Sequence, residues 1–276
     1  MFSKHLDLGR PLKTSSWRKI AIGTWRTAGD PSVYGSMEMD VERAMIYIRK
    51  MSEKTGTKIT FTHFLGKAVA LTLEKHPEIN CVLRFGRLYP RKSIDIFFQV
   101  AIDESGKELS GVTIRNANHK SLVEMANEMK TQVEAVRKKG DPVFSKTKKL
   151  MSRIPGFFIH TAIQWTGFLM YSLNLWSPLL GSPKDPFGSV MITSIGSLGL
   201  DTAFAPLVPY SRIPMLLAVG TIKEIPVVKD GKITIAQVSN LCGTFDHRLI
   251  DGMHASHIVK TLQKIFAHPE GELGPL

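Results

Sequence analysis

Only two cysteines, Cys81 and Cys242, occur in 276 residues. So few exclude a disulfide framework and any cysteine-based metal cluster. No Pro/Ser/Gly-rich linker, low-complexity run or clear repeat divides the chain, so residues 1–276 are expected to form a single domain. The first residues lack the apolar run of a signal peptide, and a cytoplasmic location is the default expectation. No recognised nucleic-acid motif is present, and the basic residues are scattered rather than interleaved with aromatics, which argues against nucleic acid as a partner. Acidic residues are the minority charge: 24 Asp+Glu face 36 Lys+Arg, a net charge of +12. That surplus reads either as a solvated basic surface or as attraction for something anionic, a phosphate-bearing ligand or an acidic membrane.

What is present suffices for a sizeable core, since 43% of the residues are hydrophobic. Helical spacing appears at about 40–55, with Asp40 placed to cap it and Val41, Ala44, Met45 and Ile48 forming a stripe. It recurs at about 60–75 and from the cap Ser121 to about Arg137. Ile94–Ile102, Ser110–Ile114, Val190–Ser194, Met215–Ile222 and Lys232–Phe245 read as strands, with Asp230 and Gly231 making the turn before the last. Strands and helices mixed without strict alternation indicate an α+β architecture rather than a doubly wound sheet.

The most informative stretch is Thr244-Phe245-Asp246-His247-Arg248-Leu249-Ile250-Asp251-Gly252. His247 ends the last strand. Ala255, Ile258, Val259, Leu262, Ile265 and Phe266 then repeat at helical spacing, and Asp251 is placed to cap that helix. A histidine held at such a strand end is a candidate general base. The alternative is a structural histidine beside a surface aspartate. His254 and His257 follow at intervals that invite a metal reading, but no carboxylate or cysteine cluster completes it in sequence, and no metal is expected. Cys242 reads as a small packed strand residue, not a nucleophile.

This stretch resembles the active-site motif of the dihydrolipoamide acyltransferases of 2-oxoacid dehydrogenase complexes: Asp-His-Arg, two variable residues, Asp-Gly. That family shares its fold with chloramphenicol acetyltransferase. Ser16–Ala21, with Arg18-Lys19, resembles the family's opening; Lys58–Val69 followed by His76-Pro77-Glu78-Ile79-Asn80 resembles a helix and its closing turn. Ile192-Thr193-Ser194-Ile195-Gly196 resembles the Ile-Ser-Asn-Leu-Gly strand, and Leu216–Gly220 with Pro226–Gly231 the hairpin before the histidine. The pieces occur in family order over roughly residues 14 to 268.

The resemblance implies a large mixed sheet in two layers, with helices packed on one side. It implies an acyltransferase using coenzyme A as a substrate, and His247 as the base. Thr193 takes the place of the hydroxyl that donates to the oxyanion, with Ser194 as a second donor. Asp251 orders the site through an arginine, for which Arg18 is the candidate. Arg248 and Asp246 lock the turn, and Gly252 lets the backbone turn tightly before the helix. The base and the oxyanion donor come from neighbouring subunits of a homotrimer, or a multiple of three, acting on acyl-CoA or an acyl-dihydrolipoyl group. The lipoyl and subunit-binding domains that usually precede such a domain have no counterpart here, so a free-standing catalytic domain is expected. The rival reading is a non-catalytic trimeric scaffold or membrane-associated module that reuses the fold.

Residues 140–188 are longer than the family crossing and read as a hydrophobic insert. Ile154–Pro183 contains no Asp, Glu, Lys or Arg. A helix is expected at about 157–177, with His160, Gln164, Gly167, Tyr171 and Asn174 forming a polar and small stripe as its wet side and the apolar faces meeting protein, its own or a sister subunit's. Tryptophans and a basic flank leave membrane-surface contact through 157–177 as a second reading, and a membrane span as a third.

Overall fold

The computed structural model describes residues 30–101, 109–139, 155–177 and 183–275. The chain divides into two compact units, Met1–Pro31 and Ser32–Leu276; the elements below belong to the second. In chain order these are β1 (Ser32–Asp40), α1 (Glu42–Thr55), α2 (Phe61–Lys75), the hairpin β2 (Cys81–Arg84) and β3 (Arg87–Pro90), β4 (Ile96–Ala101), β5 (Leu109–Ile114) and α3 (Leu122–Lys139). Then follow α4 (Gly156–Gly167), β6 (Val190–Ser194), β7 (Met215–Val219), β8 (Lys223–Lys229), β9 (Lys232–Asp246), α5 (Gly252–Ala267) and α6 (Pro269–Leu273).

Strand β9 organises the sheet because it is long enough to serve three neighbours. Its first half pairs with β8 across the turn at Asp230 and Gly231, where φ is 50° and 74°, the left-handed pair that a two-residue hairpin turn needs. Its second half lies between β1 and β7. The full order is β1-β9-β7-β6-β4-β5, with β8 added on β9. The β4–β6 and β6–β7 pairs are parallel and the others antiparallel. The mixed sheet is therefore as expected.

One face of the sheet carries the helices. Phe64, Leu65 and Leu73 of α2, Met125 of α3 and Ile258, Leu262 and Phe266 of α5 pack against Ile96, Phe98, Ile192, Met215, Leu217 and Leu241. The alternate residues of the same strands point the other way. There Phe97, Met191 and Leu216 meet Phe187 and Ile213. Among the described residues, irregular chain at Phe187, Ala205, Leu207 and Ile213 covers that face.

Helix α2 starts at Thr60 through a reciprocal cap in which a histidine replaces the usual acidic or amide residue. Thr60 N donates to His63 Nδ1 at 3.1 Å, and His63 N donates to Thr60 Oγ1 at 3.4 Å. Burial lowers the His63 pKa to about 4. The buried Lys67 joins α2 to the turn at Ala117–His119, its ammonium donating to the carbonyls of Ala117 (3.3 Å) and Asn118 (2.7 Å).

Several sequence expectations are corrected. Asp40, expected to cap α1, instead ends β1, and Val41 is the N-cap. The Asp40 carboxylate still accepts from Glu42 N at 3.1 Å and pairs with Lys229 at 2.5 Å. The β1 strand and the β2–β3 hairpin were not anticipated. Strand β7 stops at Val219 rather than Ile222.

The insert helix is shorter than expected. It ends at Gly167 and continues as one π-turn, Phe168–Ser172, before Asn174 takes a φ of 58°. Its orientation agrees with the expectation only in part: His160, Gln164 and Asn174 are exposed, as expected of the wet side. At Gly167 and Tyr171 the polar stripe faces the body of the protein: Gly167 is buried against Tyr210, and Tyr171 donates to Asp185 at 3.4 Å. Phe157 (78% exposed), Trp165 (61%) and Leu175 (58%) point outward instead. A tyrosine hydroxyl with a carboxylate partner and a glycine that lets backbones approach make the better inner face. No helix of the described residues is long and apolar enough to cross a membrane.

Candidate active site

The end of β9 is fixed by one carboxylate. Asp246 is buried, and its N–H donates to Pro214 O at 2.9 Å. Its carbonyl accepts from Leu249 N and Ile250 N, each at 2.9 Å. Its carboxylate accepts from Arg248 N (3.0 Å), Nε (2.9 Å) and Nη2 (2.6 Å). This fork closes the turn from both sides with charge-assisted bonds. His247 stands on the crest, exposed to solvent.

Asp251 caps α5. Its Oδ1 accepts from Met253 N and His254 N, both at 3.0 Å, while Asp251 N donates to His254 Nδ1 at 3.3 Å. The carboxyl lies below its ordinary range, chiefly because the His254 N–H donates to it; the charge of His254, the Met253 N–H and His247 add to the effect. His254 thus belongs to the cap and not to a metal set with His247. The Asp-x-x-His spacing, a variant of the capping box, is the signal that sequence reading passed over. Gly252 needs correction too. It is the first helical residue, and a Cβ there would meet nothing within 4 Å. The tight turn is made earlier, at Asp246 and Arg248.

Thr193 lies on β6 opposite Ala218 of β7. Ile192 belongs to the helix-side core and Met191 to the other face. Alternation therefore puts Thr193 on the face away from the helices and Ser194 on the helix side. The two hydroxyls do not serve the same point in space. Just beyond, Gly196 opens a short 3-10 turn that crosses Gly220 closely; a Cβ on Gly196 would lie 2.7 Å from Gly220 O. That close approach explains a glycine three residues after Thr193.

Strand register fixes where Thr193 and His247 stand. Thr193 pairs with Ala218, and Ala218 pairs with Cys242. His247 lies five residues beyond Cys242. At strand spacing this is roughly 17 Å along the sheet and about 10 Å across it. The two residues do not meet within one chain. Cys242 is buried beside Ala218 and Ile195, the packed residue expected. Arg18, the candidate partner of Asp251, lies outside the described residues.

A sequence model of the family described as 2-oxoacid dehydrogenases acyltransferase (catalytic domain) matches residues 18–140 and 186–273. The unmatched stretch between falls in the insert. The dihydrolipoyllysine-residue acetyltransferase component of the Staphylococcus epidermidis pyruvate dehydrogenase complex is 24% identical over 265 residues, covering 94% of this chain and 51% of that protein. The chain thus spans about half the length of the curated relatives it matches. Among solved structures, the cubic core of a pyruvate dehydrogenase multienzyme complex superposes with a TM-score of 0.65 at 22% identity, over 96% of this chain and 99% of that one. A chloramphenicol acetyltransferase superposes with a TM-score of 0.51 at 18% identity, over 86% and 89%. These likenesses agree in fold with the helix-backed mixed sheet described above. The match on both sides of the insert establishes that the chain belongs to the 2-oxoacid dehydrogenases acyltransferase (catalytic domain) family.

Proposed function

We propose that the chain transfers an acyl group between coenzyme A and a second thiol of the dihydrolipoyl type. His247 removes the proton from the attacking thiol. The sulfur adds to the thioester carbonyl, and the oxyanion of the tetrahedral intermediate takes a hydrogen bond from the Thr193 hydroxyl. Collapse breaks the old C–S bond, and the departing thiolate recovers the proton from His247. Asp251 orders the site, with Arg18 as its partner, and the +12 charge favours approach of the coenzyme A phosphates.

The observation that carries this reading is the pairing of an exposed histidine on a rigidly held turn with a hydroxyl at the far end of the same sheet. Such a separation suits a site assembled from two chains, hence a homotrimer or a multiple of three. Turnover of acetyl-CoA with dihydrolipoamide tests the reading. His247→Ala should cost about two to four decades in rate without loss of fold. Full rate in a folded variant would remove His247 as the base. A trimeric wild type inert toward all thiols would favour the non-catalytic scaffold.

A second reading concerns the outward apolar face of residues 157–177. Phe157, Phe158, Trp165 and Trp176 are exposed there, and Phe168 meets the exposed Phe85 edge-on at 6.3 Å. A sister subunit is the occupant we favour. The tryptophans and net positive charge make an anionic membrane surface the alternative.

A further inference from the structure

We propose that His76, Glu78 and His257 form a binding site for a divalent transition-metal ion, zinc by its ligand chemistry. The site is separate from the turn that holds His247 and does not depend on the acyl-transfer reading. His76 terminates α2, and the turn that follows presents Glu78: Ile79 N donates to His76 O and Asn80 N to Pro77 O, each at 3.1 Å. His257 comes from α5, on the same helix face as Thr261. Each of the three residues can offer one ligand atom such that all three atoms lie within 4.8 Å of one another.

Three features point to an ion. First, His76 is held as metal-bound histidines are: its Nε2 lies 3.0 Å from Thr261 Oγ1, which leaves Nδ1 facing Glu78 Oε1 at 3.5 Å. Fixing the outer ring nitrogen aims the inner one. Second, the His76 and His257 rings stack with centroids 5.1 Å apart and planes 18° apart. Imidazole ligates through a lone pair in the plane of its ring, so one of the two rings must rotate out of this stack for both to reach one ion. Third, His257 Nδ1 is buried without a hydrogen-bond partner, which is unusual for a ring nitrogen.

The ligand set selects the ion. Two imidazoles and one carboxylate suit zinc and its neighbours rather than magnesium or calcium. Zinc at about 2.0–2.1 Å from its ligands needs ligand atoms about 3.3 Å apart, so the site must close slightly. Glu78, half exposed on its turn, is free to move inward. Three protein ligands leave a fourth position for water on the open side. The bound ion would tie the end of α2 to the first turns of α5, the helix that Asp251 starts.

The test is titration of the metal-stripped full chain with zinc chloride by calorimetry, and with cobalt chloride by visible absorption. We expect one ion per chain, the intense bands of low-coordinate cobalt, and a melting temperature raised by zinc and lowered again by a chelator. Glu78→Gln should weaken binding by 10- to 100-fold, His257→Gln should abolish it, and acid should weaken it because imidazoles must shed protons to ligate. Lack of binding by the folded wild type would overturn the site. So would zinc affinity unchanged in both variants, which would place the ion on other histidines.

Discussion

Thr193 stands level with Cys242 across Ala218, and His247 lies five residues farther along the strand, beyond the end of the sheet. No rotamer change brings two groups together across roughly 17 Å of strand. If both act on one thioester, they belong to different chains.

The role of Thr193 is separable from its packing. Thr193→Ser keeps the hydroxyl and is expected to leave kcat within a few-fold of wild type. Thr193→Val keeps the shape and loses the donor, which costs about 3 kcal/mol of barrier, roughly two decades in kcat. Steady-state kinetics on both decide it. Equal rates would make Thr193 a packing residue.

Gly196 should be intolerant of a side chain. Gly196→Ala places a methyl 2.7 Å from the backbone oxygen of Gly220, so main chain must move. A loss of about 1–3 kcal/mol is expected in urea denaturation. An unchanged midpoint would show that the crossing can open.

Acid should unfold the protein partly through His63. Its pKa falls from 6.5 to about 4 on folding, because burial disfavours the cation. The unfolded chain binds the proton more readily. The contribution is therefore complete above pH 6.5 and lost as pH falls toward 4, on the order of 3 kcal/mol in all. His63→Gln retains an acceptor for the cap and should flatten the slope of stability between pH 6.5 and 4. A slope unaltered by that change would assign the effect elsewhere.

The outward face of the insert can be assigned by sedimentation. Trp165→Ser with Phe157→Ser is expected to shift the assembly toward monomer, while the wild type stays in the supernatant with anionic vesicles. Wild-type co-sedimentation with vesicles that the double variant loses, at unchanged oligomeric state, would give the face to a membrane instead.

The turn that carries His247 was legible because its determinants are local. The alternation of Lys232–Phe245 and the cap residue Asp251 need no distant contact, and both stand where the sequence placed them. The insert helix was half legible. The stripe is exposed at His160, Gln164 and Asn174, as expected, but Gly167 and Tyr171 on the same stripe turn inward, which periodicity does not tell. Strand β1 lies at the sheet edge and is mostly exposed; its signal was the short alternation of Met37 and Met39 with Ser36, Glu38 and Asp40, which sequence reading passed over. The His76–His257 stack is a meeting of two helices far apart in sequence, and no spacing rule reaches that far.

The split site is tested most directly by mixing two inactive chains. Thr193→Val supplies an intact His247, and His247→Ala supplies an intact Thr193. Co-refolded in equal amounts into cyclic trimers, they should form about a quarter of their sites with both groups intact. The account predicts that activity absent from either variant alone returns to about that fraction of wild type. A mixture that assembles into trimers yet stays as inactive as its components would contradict it, because the two residues would then act within one chain or not at all.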